Sequence, residues 1–215
     1  MKYQDFVIKD GKFVGEFDKM YQEVTDPWHQ SKEIYYSSLS SRSVCYFLEK
    51  YDINSIVEWG CGLGRTVHYI KENTGKDIDI LGIDISKTAI DKAKNFYPKL
   101  EFKVDNILNI SKYEEFDCMF FSEITWYLLE DKTIDEIFNI MSNKFKGKNK
   151  FLIHNLVFYK GGVQQYGKEY FTTLDEFIKF CPFELLGKVQ SDIQSDIQSD
   201  IQSEGNIETS AIFKI

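Results

Sequence analysis

The residues best suited to bind a ligand lie in a glycine-rich segment, 58–66, where Gly60, Gly62 and Gly64 occupy alternate positions. An apolar run precedes the segment and a helical pattern follows it, which predicts a loop between a strand and a helix. Glycine permits positive φ and has no Cβ, so a ligand can lie against the backbone. The amides of such a loop favour an anionic group. The order E-x-G-x-G-x-G differs from the dinucleotide pattern G-x-G-x-x-G, and a purely structural turn remains the alternative.

Two acidic residues end the next two predicted strands. Asp84 follows Gly64 by twenty residues, and an acid at that distance is suited to accept hydrogen bonds from both ribose hydroxyls. Asp105 is suited to accept a hydrogen bond from the exocyclic amine of an adenine. Ligands of open parallel sheets bind at the edge where the strands have their carboxyl ends. The glycine segment and the two acids therefore predict a nucleoside-binding site.

Strand and helix patterns alternate along the chain and predict an α/β fold with a mainly parallel sheet, covered by helices on both faces. The predicted strands are 53–59, 78–83, 100–104, 116–121, 151–158, 183–189 and 207–215, and the predicted helices are 31–50, 66–73, 87–96, 133–145 and 174–180. Ser86 and Thr173 are suited to cap the helices that follow them. No helical pattern separates the last two strands, which predicts an antiparallel hairpin at one edge of the sheet.

The segment between those two strands, 190–203, repeats the tetrapeptide Gln-Ser-Asp-Ile. The identity of the copies indicates recent duplication of a short DNA segment. Each added unit of four codons keeps the reading frame, so the number of copies can change. A period of four fits an extended hairpin and nearly fits a helix. We expect a loop whose length can change.

Composition and charge exclude several classes of protein. The 215 residues are 43% apolar and 28% charged, as in a single ordinary globular domain. A net charge of −8 repels phosphate backbones, so no nucleic-acid partner is expected. No apolar run approaches the roughly 20 residues of a membrane span and no leader pattern follows Met1, so we expect a cytoplasmic protein with no membrane partner. The cysteines 45, 61, 118 and 181 form no C-x-x-C pair, so neither a metal site nor a disulfide is expected.

Residues 17–160 resemble the class I S-adenosylmethionine-dependent methyltransferases. Residues 58–64 match the first motif of that family, Asp84 its ribose-binding acid, and 105–107 its adenine-contacting segment. Residues 117–124 resemble its fourth motif, after which the acceptor side begins. The resemblance implies S-adenosylmethionine as the cofactor and S-adenosylhomocysteine as the product.

A branch of the family that includes nodulation N-methyltransferases is most similar, because it shares an acidic-Pro-Trp element, like 26–28, and an E-x-x-x-Y-L run, like 123–128. The resemblance implies a Rossmann-like, doubly wound sheet of seven strands whose last strand is antiparallel. It divides a single domain, 1–215, into an N-terminal helical lid (1–50), a cofactor-binding core (51–160) and a C-terminal part (161–215). The implied cofactor-binding residues are Trp28, Glu58, Gly60, Cys61, Gly62, Gly64, Arg65, Asp84, Ile85, Asp105, Asn106 and Ile107.

Methyl transfer from a sulfonium is a direct displacement, which needs alignment of the reacting atoms and exclusion of water. Glu123 is a candidate to lie near the sulfonium or to orient the acceptor, and His154 is a candidate general base facing the acceptor pocket. His29, in the lid segment, is the third catalytic candidate. Tyr127 and Tyr159 are candidates for acceptor binding. A purely structural role remains the alternative for each of these residues.

The sequence therefore predicts methyl transfer to a small polar acceptor. A Lys-rich, Arg-poor chain with a tandem repeat is typical of an AT-rich bacterial gene. Because the chain resembles repeat-bearing methyltransferases that modify surface glycans, a sugar or capsule-precursor hydroxyl is the first candidate acceptor. N-methylation of an amine is the second. Two other classes stay open, namely a nucleotide-dependent oxidoreductase and a non-catalytic partner subunit that binds the cofactor.

Overall fold

The computed structural model describes residues 4–9, 12–28, 38–160, 167–193 and 205–215. Its strands are β1 (Ile8–Lys9), β2 (Lys12–Phe13), β3 (Ser55–Trp59), β4 (Asp79–Asp84), β5 (Glu101–Val104), β6 (Cys118–Ser122), β7 (Phe151–Tyr159), β8 (Glu184–Ile193) and β9 (Asn206–Lys214). Its α-helices are α1 (Gln4–Val7), α2 (Phe17–Glu23), α3 (Leu39–Lys50), α4 (Arg65–Asn73), α5 (Lys87–Phe96), α6 (Thr133–Lys144) and α7 (Leu174–Phe180). Short 3-10 helices lie at Ile107–Tyr113, Thr125–Leu128 and Glu130–Lys132.

Strands β3 to β9 form one seven-stranded sheet with the order β5-β4-β3-β6-β7-β9-β8. The first five strands of that order pair in parallel. Strand β9 pairs antiparallel with both β7 and β8, so it alone runs against the others. The predicted doubly wound sheet with an antiparallel last strand is therefore confirmed. The hairpin lies at the sheet edge, with β9 inserted between β7 and β8.

Both faces of the sheet are covered by apolar side chains, as expected for strands buried on both sides. On β3, Val57 and Trp59 face a cluster that includes residues of α6 and α7, whereas Ile56 faces a second cluster with residues of α3, α4 and α5. Successive side chains of a strand point to opposite faces, so this alternation fixes the two layers. Because β3, β4, β5 and β6 run parallel, their carboxyl ends meet at one edge of the sheet.

The two predicted helix caps are present. The Ser86 hydroxyl accepts a hydrogen bond from the Ala89 amide at 3.0 Å and begins α5. The Thr173 hydroxyl accepts one from the Glu176 amide at 3.2 Å and begins α7. Each cap satisfies a first-turn amide that has no partner within its own helix.

The N-terminal segment lies over the start of α5 and the glycine loop. The Asp18 carboxylate accepts hydrogen bonds from the Ser86 hydroxyl and the Thr88 amide, each at 2.8 Å. Four buried side chains of α1 and α2 form a cluster with Leu63 of the glycine loop and Ala89 of α5. Of the predicted helix 31–50, residues 39–50 form α3, and 31–37 lie outside the described residues.

Replacing Asp18 with alanine is expected to lower the free energy of unfolding by about 1 kcal/mol, because the first turn of α5 loses a capping carboxylate. The contact also joins α2 to α5, so amide exchange in α2 is expected to accelerate. Urea denaturation and hydrogen exchange measure the two effects. Asp91→Ala, which removes an exposed acid paired with Lys87 on α5, is the control, and an equal effect of both variants would argue against the contact.

The tetrapeptide repeat begins within β8, since 190–193 pair with 206–209 of β9. The predicted strand 183–189 is thus extended by the first repeat unit, and 194–203 lie outside the described residues. Within the described ranges, no helix combines the length and apolar character needed to cross a membrane.

Candidate cofactor and acceptor site

The glycine loop adopts backbone conformations that L side chains disfavour. Gly60, Gly62 and Gly64 have φ of 72°, 53° and 75°. A Cβ on Gly60 would lie 2.2 Å from Cγ2 of Ile124, and one on Gly64 would lie 2.5 Å from the Phe102 ring. Glycine is therefore required twice over, for its φ range and for close packing against the neighbouring loops.

Asp84 organises the loop from the next strand. Its Oδ2 accepts a hydrogen bond from the Gly62 amide at 2.9 Å and its Oδ1 one from the Ser86 amide at 2.8 Å. The carboxylate is 7% exposed, and burial raises its pKa to about 6, although the backbone hydrogen bonds oppose that rise. A carboxylate has about four lone-pair sites, so Asp84 can hold the loop and still accept ribose hydroxyls.

Glu58, near the end of β3, holds the residues that follow the glycine loop. Its carboxyl group accepts hydrogen bonds from the Thr66 hydroxyl and the Val67 amide, in the first turn of α4, and burial raises its pKa to about 8. These contacts join the end of β3 to the start of α4. Glu58 thus shapes the segment expected to bind cofactor, and Cys61, also buried, adds a backbone bond from its amide to the Ile83 carbonyl at 2.9 Å.

The carboxyl end of β5 offers a surface suited to a flat heterocycle. Ile85, Val104 and Leu108 are exposed by 57%, 44% and 39%, which is unusual for apolar side chains so close to one another in the fold. Beside them, the Asp105 carboxylate accepts hydrogen bonds from the Tyr113 hydroxyl at 2.7 Å and the Asn109 amide group at 2.7 Å. These bonds lower the pKa of Asp105 and keep it charged, although burial opposes them.

Asn106 and Ile107 complete this end of β5. The Asn106 side chain caps the Leu108 amide at 2.9 Å, and Ile107 packs against the core cluster beneath. The sequence did not indicate Leu108 or Val104, because an isolated apolar residue shows its exposure only in the fold.

Trp59 of the first motif and Arg65, which follows that motif, both contact aromatic side chains of the protein. Trp59 is buried with its ring edge-on to Tyr113 at 5.2 Å, and its Nε1 donates to Met119 Sδ at 3.4 Å. Its bulk is therefore taken up by the core and does not obstruct the loop. Arg65, expected to pair with the cofactor carboxylate, lies over the Phe96 ring at 5.6 Å with Nη1 3.5 Å from the Tyr97 hydroxyl.

An aromatic cluster covers the loop from the N-terminal side. The Trp28 Nε1 donates to the buried Tyr21 hydroxyl at 2.8 Å, and the Trp28 ring lies 5.9 Å from Tyr127. Tyr127 also packs against Phe13 and Phe17. The structure thus brings together Trp28 and Tyr127, which the sequence assigned separately to cofactor and acceptor. Tyr159, at the carboxyl end of β7, is 38% exposed.

Glu123 follows β6 with a positive φ of 58°, a conformation that costs free energy for a non-glycine residue and is often found at functional sites. Its amide donates to the Asn155 carbonyl at 3.1 Å, and its Oε2 accepts from the Val157 amide at 3.1 Å. Burial raises its pKa to about 8. The neighbouring Ile124 fills the space left by Gly60, so the Glu123 loop and the glycine loop are in direct contact.

His154 lies in the interior of the protein. Its ring is 0% exposed, stacks on Phe177 at 3.8 Å, and has Nε2 2.6 Å from the Thr125 hydroxyl. Burial lowers its pKa to about 3. The sequence placed this ring in the acceptor pocket, whereas here it holds the turn that begins at Thr125. His29 lies outside the described residues.

The buried carboxyl groups predict a pH dependence of stability. Glu58 and Glu123 have pKa values raised to about 8 from 4.5, so the folded chain holds protons that the unfolded chain releases. The free energy of unfolding is therefore expected to fall as pH rises from 6.5 to 8, by at most about 1.4 kcal/mol per group and pH unit. Below pH 6.5 the neutral, buried His154 acts in the opposite direction.

Urea denaturation between pH 6.5 and 8 measures this slope. Glu123→Gln removes one of the two groups and is expected to reduce the slope, whereas Glu101→Gln, at an exposed position of β5, is expected to leave it unchanged. A stability that stays constant or rises over this interval would contradict the protonated state of the two acids.

The sequence of the chain is similar to that of known methyltransferases. A family model described as a methyltransferase domain matches residues 56–146. The curated protein "Putative methyltransferase 235L" of Invertebrate iridescent virus 6 is 27% identical over 173 residues, which cover 76% of this chain. The chain spans only 61% of the length of that relative.

Solved structures share the fold. The N-methyltransferase NodS from Bradyrhizobium japonicum, in complex with S-adenosylhomocysteine, is 17% identical with a TM-score of 0.59, over 89% of this chain and 92% of that one. A TehB-like S-adenosylmethionine-dependent methyltransferase from Corynebacterium glutamicum is 17% identical with a TM-score of 0.56, over 92% and 95%. Residues 56–146 thus match a methyltransferase domain, and the chain has the fold of solved S-adenosylmethionine-dependent methyltransferases.

Proposed function

We propose that this protein transfers the methyl group of S-adenosylmethionine to a small polar acceptor. The observation that supports the proposal is the succession of the glycine loop, Asp84 and Asp105 at the carboxyl ends of three neighbouring strands. Glu123, whose carboxyl group is buried, follows the fourth strand, and the next residue, Ile124, contacts the same loop. The cofactor supplies an activated methyl group on a sulfonium.

The chain contributes binding, orientation and exclusion of water. Asp84 accepts hydrogen bonds from the ribose hydroxyls, and Asp105 accepts one from the adenine amine. The exposed apolar side chains near the end of β5 contact the base. The loop amides favour an anionic part of the ligand. The cluster of Trp28, Tyr21 and Tyr127 excludes water from one side. Positioning of this kind supplies on the order of 7–11 kcal/mol of the reduction in barrier.

Glu123 is the residue we assign to the acceptor side. With Oε2 held by the Val157 amide, Oε1 is the atom that orients a hydroxyl or amine. It accepts the proton of the acceptor only when Glu123 is ionised, which its pKa of about 8 restricts to alkaline solution or to a site that holds a positive charge. General-base assistance contributes about 10²–10⁴-fold. We infer a small molecule in place of nucleic acid because the net charge is −8, and a cytoplasmic location because the four cysteines are buried and unbonded, as in reducing compartments.

The candidate acceptor classes are those that can donate a hydrogen bond to Glu123. A hydroxyl of a sugar or surface-glycan precursor and an amine of a small molecule both present a donor hydrogen to Glu123. A cofactor-binding partner subunit would need the loop and Asp84 alone, without a strained, buried acid on the acceptor side. Glu123 therefore favours an enzyme.

Calorimetric titration of the purified protein with S-adenosylhomocysteine tests the proposal first. Micromolar or tighter binding is expected, with no heat from NADH at the same concentrations. Binding of NADH without S-adenosylhomocysteine by folded protein would support an oxidoreductase and reject the proposal. Transfer of labelled methyl to matched hydroxyl and amine acceptors then tests catalysis.

A further inference from the structure

Three buried polar atoms near the face of the sheet that carries α3 lack hydrogen-bond partners within the part of the chain that the structure describes, whereas His154 Nδ1, also without a partner, lies on the opposite face beside Phe177. The three atoms are Oε1 of Glu123, Oδ1 of Asn155 and Oγ of Ser210. A buried polar atom without a partner costs about 1–3 kcal/mol, and such atoms are rare in folded proteins. Three of them in one region point to a group that binds there.

The sheet makes the three residues neighbours. Asn155 of β7 lies directly opposite Ser210 of β9, and directly opposed side chains share one face of the sheet. The Glu123 amide donates to the Asn155 carbonyl at 3.1 Å. The region lies beside the glycine loop, because Ile124, next to Glu123, contacts Gly60.

The orientation of each group is fixed by its other contacts. The Asn155 Nδ2 donates to the Ser40 carbonyl at 3.2 Å, so the oxygen is the atom left without a partner. The Val157 amide occupies Oε2 of Glu123, which leaves Oε1. A carboxylate oxygen and an amide oxygen both accept hydrogen bonds, and a serine hydroxyl can accept as well.

The charge of the region also favours a positive ligand. Glu208, on the same strand as Ser210, accepts hydrogen bonds from the Leu39 and Ser40 amides at 3.0 and 2.7 Å, which keeps it in place beside the three atoms. Among the described residues, no Lys or Arg forms an ion pair with Glu123 or Glu208.

We infer that Glu123, Asn155 and Ser210 form a subsite for the amine group of the acceptor. An ammonium group has three donor hydrogens and no acceptor, and its positive charge favours the ionised form of Glu123 over the protonated form of the free protein. It can then donate to all three atoms. Transfer of one ammonium proton to Oε1 leaves a neutral amine whose lone pair can attack the methyl carbon. A hydroxyl ligand can accept from the Ser210 hydroxyl but has only one donor hydrogen, so it leaves either Oε1 of Glu123 or Oδ1 of Asn155 without a partner and brings no positive charge. This inference rests on the proposed function and narrows its acceptor to an amine-bearing molecule.

Titration with two small probes, ethylammonium chloride and ethanol, tests the subsite. The readout is the side-chain amide signal of Asn155 in ¹⁵N-labelled protein loaded with S-adenosylhomocysteine, with sodium chloride as the ionic-strength control. Saturable shifts are expected with ethylammonium, at least ten-fold tighter than with ethanol. Ethanol binding as tightly as ethylammonium, or neither probe shifting the signal, overturns the inference.

Variants show which groups bind the probe. Glu123→Gln is expected to weaken ethylammonium binding at least ten-fold, and Ser210→Ala, a small change that removes only the hydroxyl, about three-fold or more. Glu101→Gln removes an exposed acid and is expected to leave the affinity unchanged. Equal affinity of the wild type, Glu123→Gln and Ser210→Ala contradicts the subsite.

The same titration separates the two proposals. Failure of S-adenosylhomocysteine to bind removes the proposed function, and ethylammonium is then titrated into the ligand-free protein to judge the subsite independently. Binding of S-adenosylhomocysteine without a response to ethylammonium leaves the methyltransferase proposal in place and rejects the amine subsite alone.

Discussion

Replacing Asp84 with asparagine is expected to weaken S-adenosylhomocysteine binding by about 100-fold, which corresponds to about 2.7 kcal/mol. Hydrogen bonds to a charged group contribute roughly 1.5–3 kcal/mol each, and the carboxylate is placed to accept two of them from the ribose. An asparagine side chain retains one acceptor oxygen and presents an NH₂ group to either the Gly62 or the Ser86 amide. The substitution therefore also disturbs the loop that Asp84 holds.

Calorimetric titration measures the loss, and Asp79→Asn is the matched control. Asp79 begins the strand that Asp84 ends, and its side chain is exposed at the opposite edge of the sheet. We expect unchanged affinity for Asp79→Asn. Thermal unfolding of both variants shows that weaker binding is not a loss of folded protein, and full affinity in a folded Asp84→Asn variant would remove the ribose assignment.

The cofactor side of the site could be predicted from sequence because its determinants are local. Gly60, Gly62 and Gly64 mark positive φ within seven residues of the strand that precedes them, and Asp84 and Asp105 follow from strand ends that apolar runs reveal. Ser86 was identified as a cap from its position alone, and the hydrogen bond to Ala89 confirms it. Local signals of this kind need no knowledge of distant contacts.

The acceptor side could not be predicted in the same way. Asn155 and Ser210 meet only because β9 inserts between β7 and β8, and nothing in either segment records that pairing. His154 was expected near a strand end, facing the pocket, but it lies in the middle of β7. Side chains alternate along a strand, and the His154 ring faces Phe177. Asn155 is the next residue along β7, so its side chain points to the opposite face of the sheet from that of His154.

The N-terminal cover shows a third kind of limit. Helix α2 is only seven residues long, too short for a periodic pattern to stand out. Its place is set by Asp18, whose partners on α5 are far away in sequence. Tertiary contacts, not propensity, determine such short elements.

Gly60→Ala is expected to destabilise the protein by more than a change of backbone preference alone. Positive φ costs an alanine about 1–2 kcal/mol. The new Cβ would also lie 2.2 Å from Cγ2 of Ile124, and overpacking of this kind adds about 1–3 kcal/mol. Because Ile124 adjoins Glu123, the displaced loop is expected to weaken S-adenosylhomocysteine binding as well.

Gly147→Ala separates the two costs, since Gly147 has φ of 74° and nothing within 4 Å of the added Cβ. Urea denaturation is expected to show a loss of about 1–2 kcal/mol for this variant and a larger loss for Gly60→Ala. A double-mutant cycle with Ile124→Ala then removes the obstructing Cγ2. If the contact between the two loops is the cause, Gly60→Ala in that background costs no more than Gly147→Ala. If the costs of Gly60→Ala and Ile124→Ala simply add, the loops are not coupled through this contact, and the proximity of Glu123 to the cofactor loop must depend on other contacts.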